Sequence, residues 1–275
     1  MEHMAANAGP EVSFHRARLR PIPLVASLLA GSLFLASAAL QLMASVQRWV
    51  IFRGSLTSED RSAEDHLYDY TAPVIPWEPI ENAAQLYGAG ALLTAIGVVV
   101  MPFAVGTLTR LRTATRRQHV TVVVAVVLVE LVLALLIASS FAVKGTRALV
   151  SGSMGHPLQL EGYGALDLFG VVSLVALAVM WRAVRAAMVV CLALLGSTDV
   201  GFFLSAYFIA PVFARGVSHD TTPWTETVVA ATTAVAGIAM FVAARSALAP
   251  RKRSVSPVTG EPDLPDCAGG RSSRT

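Results

Sequence analysis

Two acidic residues lie inside long apolar stretches of this sequence. Glu130 interrupts the Val/Leu-rich stretch 119–143, and Asp199 lies in the glycine-bracketed polar segment 196–201. A carboxylate at the centre of a bilayer costs about 2.5–3.5 kcal/mol on insertion scales, so it normally faces protein or water. We interpret Glu130 and Asp199 either as candidate proton or substrate ligands, or as hydrogen-bonded contacts that help helices associate.

The positions of the two acids predict similar depths. Glu130 lies 11 residues beyond His119, and Asp199 lies 13 residues beyond Ala186. At the helical rise, these distances are about 16 and 20 Å from the predicted inner helix ends. The carboxylates are therefore predicted near the midplane; if they face each other, both cannot ionise cheaply and they would share protons. The glycines around Asp199 predict a locally broken helix, an element that binds substrates or ions in transporters.

The polar segment 47–82 offers a second set of chemical groups. Asp65, His66 and Asp69 would share one turn if the segment were helical, and carboxylate with imidazole is a candidate metal set. The acids of this segment are equally typical of a solvated outer loop, which is the interpretation we favour. We therefore predict no metal site, and we expect that alanine at all three positions leaves folding intact. Four aromatic residues there suit a belt at the membrane interface, namely Trp49, Tyr68, Tyr70 and Trp77.

The sequence gives little support for an enzyme active site or a cofactor site elsewhere in the chain. Ser153 and His156 lie in a Gly/Ser stretch that lacks the spacing of a nucleophile elbow, so we interpret it as a mobile connection. The six histidines lie in loops or near predicted helix ends, where they do not fit a haem between helices. There is no HExxH, P-loop, GxGxxG or CxxC pattern. We predict that the protein is not an enzyme and carries no cofactor.

Composition places the chain in a lipid bilayer. Of 275 residues, 55% are hydrophobic and only 14% are charged, and the mean hydropathy is +0.61. Soluble domains carry about 25% charged residues. Apolar stretches of about 20 residues recur, which is the length that crosses a hydrocarbon core. The lipid bilayer is thus the first predicted partner, other membrane subunits are candidate partners, and the net charge of +3 is assigned to cytoplasmic loops rather than to nucleic-acid binding.

The apolar stretches predict an all-α, polytopic helix bundle. A cytoplasmic segment 1–20 precedes a transmembrane domain 21–247, and a disordered tail 248–275 follows it. The predicted domain contains the acidic outer loop 47–82 and six spans at about 21–46, 83–108, 119–143, 164–181, 186–213 and 224–244. The first span also resembles a signal peptide with Ala36-Ser37-Ala38 as a cleavage site, but its apolar stretch is longer than a typical signal core. Five spans is the main alternative, either by cleavage of the first or because the short fourth is not a span.

Charge sets the predicted orientation. With both termini inside, the inner segments hold 15 Lys and Arg residues and the outer segments hold six. This excess follows the positive-inside rule, so we predict cytoplasmic termini. The basic residues are 19 Arg and two Lys, a bias that we attribute to a GC-rich genome and hence to a bacterial cytoplasmic membrane.

Three classes of function follow from these observations. The first is a non-catalytic membrane subunit or scaffold that uses its outer loop and tail for partners. The alternative is a proton-coupled transporter of an unspecified small molecule, in which Glu130 and Asp199 would carry the coupling. A membrane enzyme is the least supported class, because the sequence contains no catalytic constellation.

Overall fold

The protein is all-α, as predicted. The computed structural model describes residues 21–53, 63, 65–105, 117–160, 162–214 and 221–248, and these residues contain no strand. The helices are α1 (Pro21–Val46), α2 (Ala83–Ala104), α3 (Arg117–Met154), α4 (Tyr163–Met180), α5 (Arg185–Leu195), α6 (Asp199–Leu204), α7 (Ala210–Ala214) and α8 (Thr225–Leu248). Two π-helical stretches, Gln47–Phe52 after α1 and Ser205–Ile209 between α6 and α7, continue their neighbouring helices.

Within the described ranges, five helices are long and apolar enough to cross a membrane. These are the helices that contain Ile22–Phe52, Ala83–Ala104, Thr121–Met154, Tyr163–Met180 and Thr225–Arg245. A sixth span exists if α5 and the following segment count as one, but the two are bent by 71°. The predicted span over 186–213 therefore consists of two helical segments, and the predicted break near Asp199 is confirmed. The predicted residues 1–20, 106–108 and 249–275 lie outside the described residues.

Neighbouring helices alternate in direction. α1 packs between α2 and α8, α2 also packs on α3, and α4 lies between α3 and α5. Residues 65–82 cover one end of this bundle and are called the cap; that end is the cap end. α2, α4 and α8 begin at the cap end, whereas α1 and α3 finish there.

Two glycines set a close contact between α2 and α3. A Cβ atom added at Gly88 would lie 2.6 Å from the carbonyl oxygen of Gly145, and one added at Gly145 would lie 2.7 Å from that of Gly88. α2 and α3 thus touch backbone to backbone at a point where any side chain would separate them. Small residues allow this approach and are typical of helix packing in membranes.

The cap is packed against the bundle rather than solvated. Leu67, Tyr70, Trp77 and Ile80 are buried and form one apolar cluster with the first turns of α2 and with Ala148 of α3. For the described residues 47–53 and 65–82, the interpretation as a solvated loop is therefore wrong. The aromatic residues predicted for an interfacial belt are buried instead: Tyr68, Tyr70 and Trp77 lie in this cluster, and Trp49 donates a hydrogen bond to Glu226.

Candidate functional site

The third helix carries a buried lysine. Hydropathy predicted that this span ends at Val143 and that Lys144 lies in an outer loop. Helix α3 instead continues to Met154. Lys144 is only 5% exposed, and its Nζ lies 2.6 Å from Oδ1 of Asp199. The predicted end of the helix is wrong because the ammonium group of Lys144 pairs with a carboxylate inside the bundle. A charged residue therefore does not have to end this helix.

Asp167 completes a three-residue ion cluster. It lies in the first turns of α4, is buried, and has Oδ1 at 3.7 Å from Lys144 Nζ. The hydroxyl of Ser140 donates to Oδ1 of Asp167 at 3.0 Å, and the backbone N–H of Asp199 donates to its Oδ2 at 3.2 Å. The hydroxyl of Tyr163 donates to Oδ1 of Asp199 at 3.4 Å. Lys144, Asp167 and Asp199 are called the hinge cluster, since they join α3 and α4 to the break in the fifth span.

The break itself is built from a helix cap and two glycines. Thr198 caps the new helix, because its Oγ1 accepts from the backbone N–H of Gly201 at 3.2 Å. A Cβ atom at Gly201 would overlap the carbonyl oxygen of Leu195 and lie 2.5 Å from the carbonyl carbon of Gly196. The chain turns by 71° here. Only glycine at 201 lets the two helical segments meet this closely.

The segment beyond the break is an apolar arm. Residues Asp199–Ala214 are called the arm; they comprise α6, the π-helical stretch and α7. One face is buried against the bundle through Ser205, Ala206 and Ala210. The large side chains of the other faces are exposed, and Val212 and Phe213 reach 75% and 73% exposure. The arm is about 24 Å long and leaves the axis of α5 at a steep angle, so it does not complete a straight crossing of the membrane.

Glu130 lies far from this cluster. It is fully buried, and one of its contacts is the indole Nε1 of Trp181, which donates to its Oε1 at 3.0 Å. Trp181 follows the last residue of α4, whereas Asp199 lies beside the first turns of α4. Along α3, Glu130 and Lys144 are 14 residues apart, which is about 21 Å. The prediction that Glu130 and Asp199 lie at one depth as a pair is wrong, because counting from the start of α3 misplaced Glu130, which lies level with Trp181 after the end of α4.

A second charged network holds the cap. The guanidinium group of Arg48 is completely buried; it contacts Asp69 and lies 2.9 Å from Oε1 of Glu226. It also donates to the carbonyl oxygens of Ala63 and Asp65 at 3.0 and 3.2 Å. Asp69 is therefore an ion-pair partner and not part of a solvated surface. These contacts tie α1, the cap and α8 together, which is a structural role.

The remaining candidate groups show no arrangement for chemistry. Asp65 caps the short helix at His66–Tyr68 and its carboxylate lies 3.2 Å from Nδ1 of His66. No group of three metal-binding side chains forms among the described residues. Ser153 lies in the last turn of α3, where its hydroxyl donates to the carbonyl oxygen of Val150. The interpretation of the stretch around Ser153 as a connection is wrong for residues 152–154, which belong to helix α3, whereas Gly155 and His156 follow the helix.

Sequence reasoning found one member of the hinge cluster and missed two. Asp199 was singled out, but Lys144 was counted as an outer basic residue and Asp167 was passed over at the start of a span. The sequence did contain one indication that Lys144 is unusual, since it is one of only two lysines in the chain. A lysine next to a hydrophobic stretch of an Arg-rich protein is a reason to look for a buried carboxylate partner.

No known protein family, no curated protein and no solved structure matches the chain.

Proposed function

We propose that this protein is a non-catalytic subunit of a membrane assembly and that the arm is the surface that binds its partner. The observation that carries the proposal is the exposure of aromatic side chains on the arm. Six aromatic side chains of the described residues are exposed, and four of them lie on the arm: Phe203, Tyr207, Phe208 and Phe213. Aromatic residues are enriched at protein interfaces and dominate binding energy there.

Comparison with the other apolar surfaces of the bundle supports this assignment. The large exposed side chains between residues 121 and 135 of α3 are aliphatic, as expected for a surface that contacts lipid tails: Val122, Val124, Leu128, Val129, Val132 and Leu135. The arm differs in composition and in shape, because it is rich in exposed aromatic residues and is bent by 71° from α5. A bent aromatic segment gives a partner helix two surfaces to contact, the arm and the side of the bundle below it.

Co-purification from native membranes tests the proposal. The test variant carries alanine at Phe203, Phe208 and Phe213. The control variant carries alanine at three exposed apolar residues of α4, Leu168, Phe169 and Val172, which have comparable exposure. A stoichiometric partner should accompany the natural protein and the control variant, and should be lost from the arm variant. A partner that is retained by the arm variant, or lost equally from both variants, contradicts the proposal.

A proton-coupled carrier is a second candidate, supported by one observation. The hinge cluster places a lysine and two carboxylates at a break in a membrane span, and broken helices bind substrates and ions in transporters. In this candidate, Asp199 would exchange the proton. Glu130, which lies about 21 Å from Lys144 along α3, would act separately. Asp199→Asn in reconstituted vesicles should then abolish proton-coupled uptake while leaving the protein folded. Unchanged uptake would exclude Asp199 as the coupling group.

A further inference from the structure

Asp199 is the one charged residue of the arm. The sequence from Asp199 to Ala214 contains no other Asp, Glu, Lys, Arg or His. The Asp199 side chain is 50% exposed, although its neighbours Val200 and Phe203 are exposed apolar residues. A half-exposed carboxylate therefore stands at the root of an otherwise apolar surface.

The hinge cluster has one carboxylate more than it has cations. Within ion-pair distance it contains the ammonium group of Lys144 and the carboxylates of Asp167 and Asp199. Among the described residues, Arg147 is a further cation near the cluster, and it lies over the ring of Tyr163 at 5.6 Å. Its guanidinium group donates to the carbonyl oxygens of Leu158 and Pro73, at 3.1 and 2.7 Å, so these hydrogen bonds do not go to a carboxylate.

The two carboxylates differ in their hydrogen-bond partners and in their exposure. Asp167 is buried and receives hydrogen bonds from Ser140 and from the backbone of Asp199, in addition to its contact with Lys144. Asp199 shares the same lysine and receives one long hydrogen bond from Tyr163, while half of its side chain stays uncovered. Covering that half with a purely apolar surface would bury a carboxylate against groups that cannot pair with it, which is costly. An occupant of this surface has to bring a cation or a strong hydrogen-bond donor.

We propose that the partner is a transmembrane helix that carries one Arg or Lys side chain at the depth of Asp199. Its apolar face covers the aromatic side chains of the arm, and its basic group pairs with the uncovered side of the Asp199 carboxylate. Ionisable residues inside membranes pair with one another in this way, and complementary charge fixes the register of a contact. This inference rests on the proposed function, because it specifies the chemistry of the partner that the arm binds.

Binding of synthetic helices in lipid nanodiscs tests the inference. The probe is a 24-residue Leu/Ala peptide with a single Arg six residues from one end, labelled for energy transfer to a donor on the protein. The matched peptide has Gln in place of Arg. The natural protein should bind the Arg peptide at least ten-fold more tightly than the Gln peptide, and Asp199→Asn should reduce this preference to less than three-fold.

Two further variants keep the test decisive. Asp199→Glu retains a carboxylate and should retain the Arg preference, whereas Glu130→Gln removes a distant acid and should leave the preference unchanged. Equal binding of both peptides to the natural protein, or a preference that survives Asp199→Asn, overturns the inference. If equal binding is also lost when Phe203, Phe208 and Phe213 become alanine, the inference falls and the arm keeps its proposed role. If the arm variant binds the peptides as tightly as the natural protein does, the proposed function itself is contradicted.

Discussion

Substitution of Gly201 by alanine tests whether the bend in the fifth span is built into the fold. An added Cβ would lie 2.5 Å from the carbonyl carbon of Gly196. Carbon atoms that are not bonded prefer about 3.5–4.0 Å, so the overlap is about 1 Å or more. The atoms in contact belong to the backbone and cannot rotate away. We expect a cost of about 3 kcal/mol, the upper part of the range for overpacked sites.

The chain can respond to this cost in two measurable ways. If the bend persists, the midpoint of thermal unfolding in detergent should fall by about 6 °C or more. If the bend opens instead, spin labels at Val189 and Val212 should move apart. With the 71° bend, these positions are about 29 Å apart along ideal helices, and a straight helix would separate them by about 34 Å. Pulsed electron paramagnetic resonance resolves this difference.

The control is Gly164→Ala, at an exposed position in the first turn of α4. Nothing lies within 4 Å of a Cβ atom added there, and the backbone is helical. Alanine should be neutral or stabilise this helix by about 0.5–1 kcal/mol. The reasoning is refuted if Gly201→Ala behaves like Gly164→Ala, with both the unfolding midpoint and the label distance unchanged.

Four other predictions follow from the contacts described. Arg48→Met should destabilise the protein by about 3–5 kcal/mol and expose the cap to protease, because it leaves buried carboxylates uncompensated; unchanged proteolysis would contradict this. Tyr70→Phe should be neutral or stabilising in thermal unfolding, because the buried hydroxyl makes no hydrogen bond within the described part of the chain. In a Cys-free variant, cysteines at Ser140 and Gly170 should form a disulfide, since the two positions are in direct contact and a shift of about 0.5 Å gives the Cβ separation that a disulfide needs, whereas cysteines replacing Glu130 and Asp199 should not form one. A cysteine at the exposed Ile75 should react with an impermeant thiol reagent in intact cells if the cap end is outside, and protection there would reverse the predicted orientation.

The cap network also revises an expectation drawn from the sequence. Replacement of Asp65, His66 and Asp69 by alanine was expected to leave folding intact, on the assumption of a solvated loop. Asp69 contacts the buried Arg48 and accepts from the hydroxyl of Thr221 at 3.0 Å. The triple variant is therefore now expected to be less stable, and most of the loss should be reproduced by Asp69→Asn alone.

Hydropathy predicted the apolar spans because their length and composition are local properties. The all-α fold, the existence of the spans and the break near Asp199 all follow from runs of apolar residues and from glycines. The limits of the third span do not, because the end of a helix is set there by a partner that is remote in sequence. Lys144 lies 55 residues from Asp199, and no local sequence pattern predicts that the two charged groups are in contact.

The candidate site was predicted only in part for a related reason. Depth was counted from the predicted inner ends of the two helices, which put Asp199 level with Glu130. The structure places Asp199 beside Asp167 in the first turns of α4, whereas Glu130 lies level with Trp181 after the end of that helix. The tendency to break was readable from the glycines, but the direction of the bend depends on packing at Gly201 and on the hinge cluster. Tertiary contacts thus decide which acids meet.

Photo-crosslinking in living cells tests the central claim, that the arm binds a partner protein. A photoreactive amino acid at Phe208 on the arm is compared with one at Phe169 on α4, since both side chains are exposed and aromatic. We predict one discrete protein adduct from position 208, reduced when Asp199→Asn is introduced, and only lipid adducts from position 169. Lipid adducts alone from both positions, or the same protein adduct from both, would contradict the proposal that the arm is the binding surface.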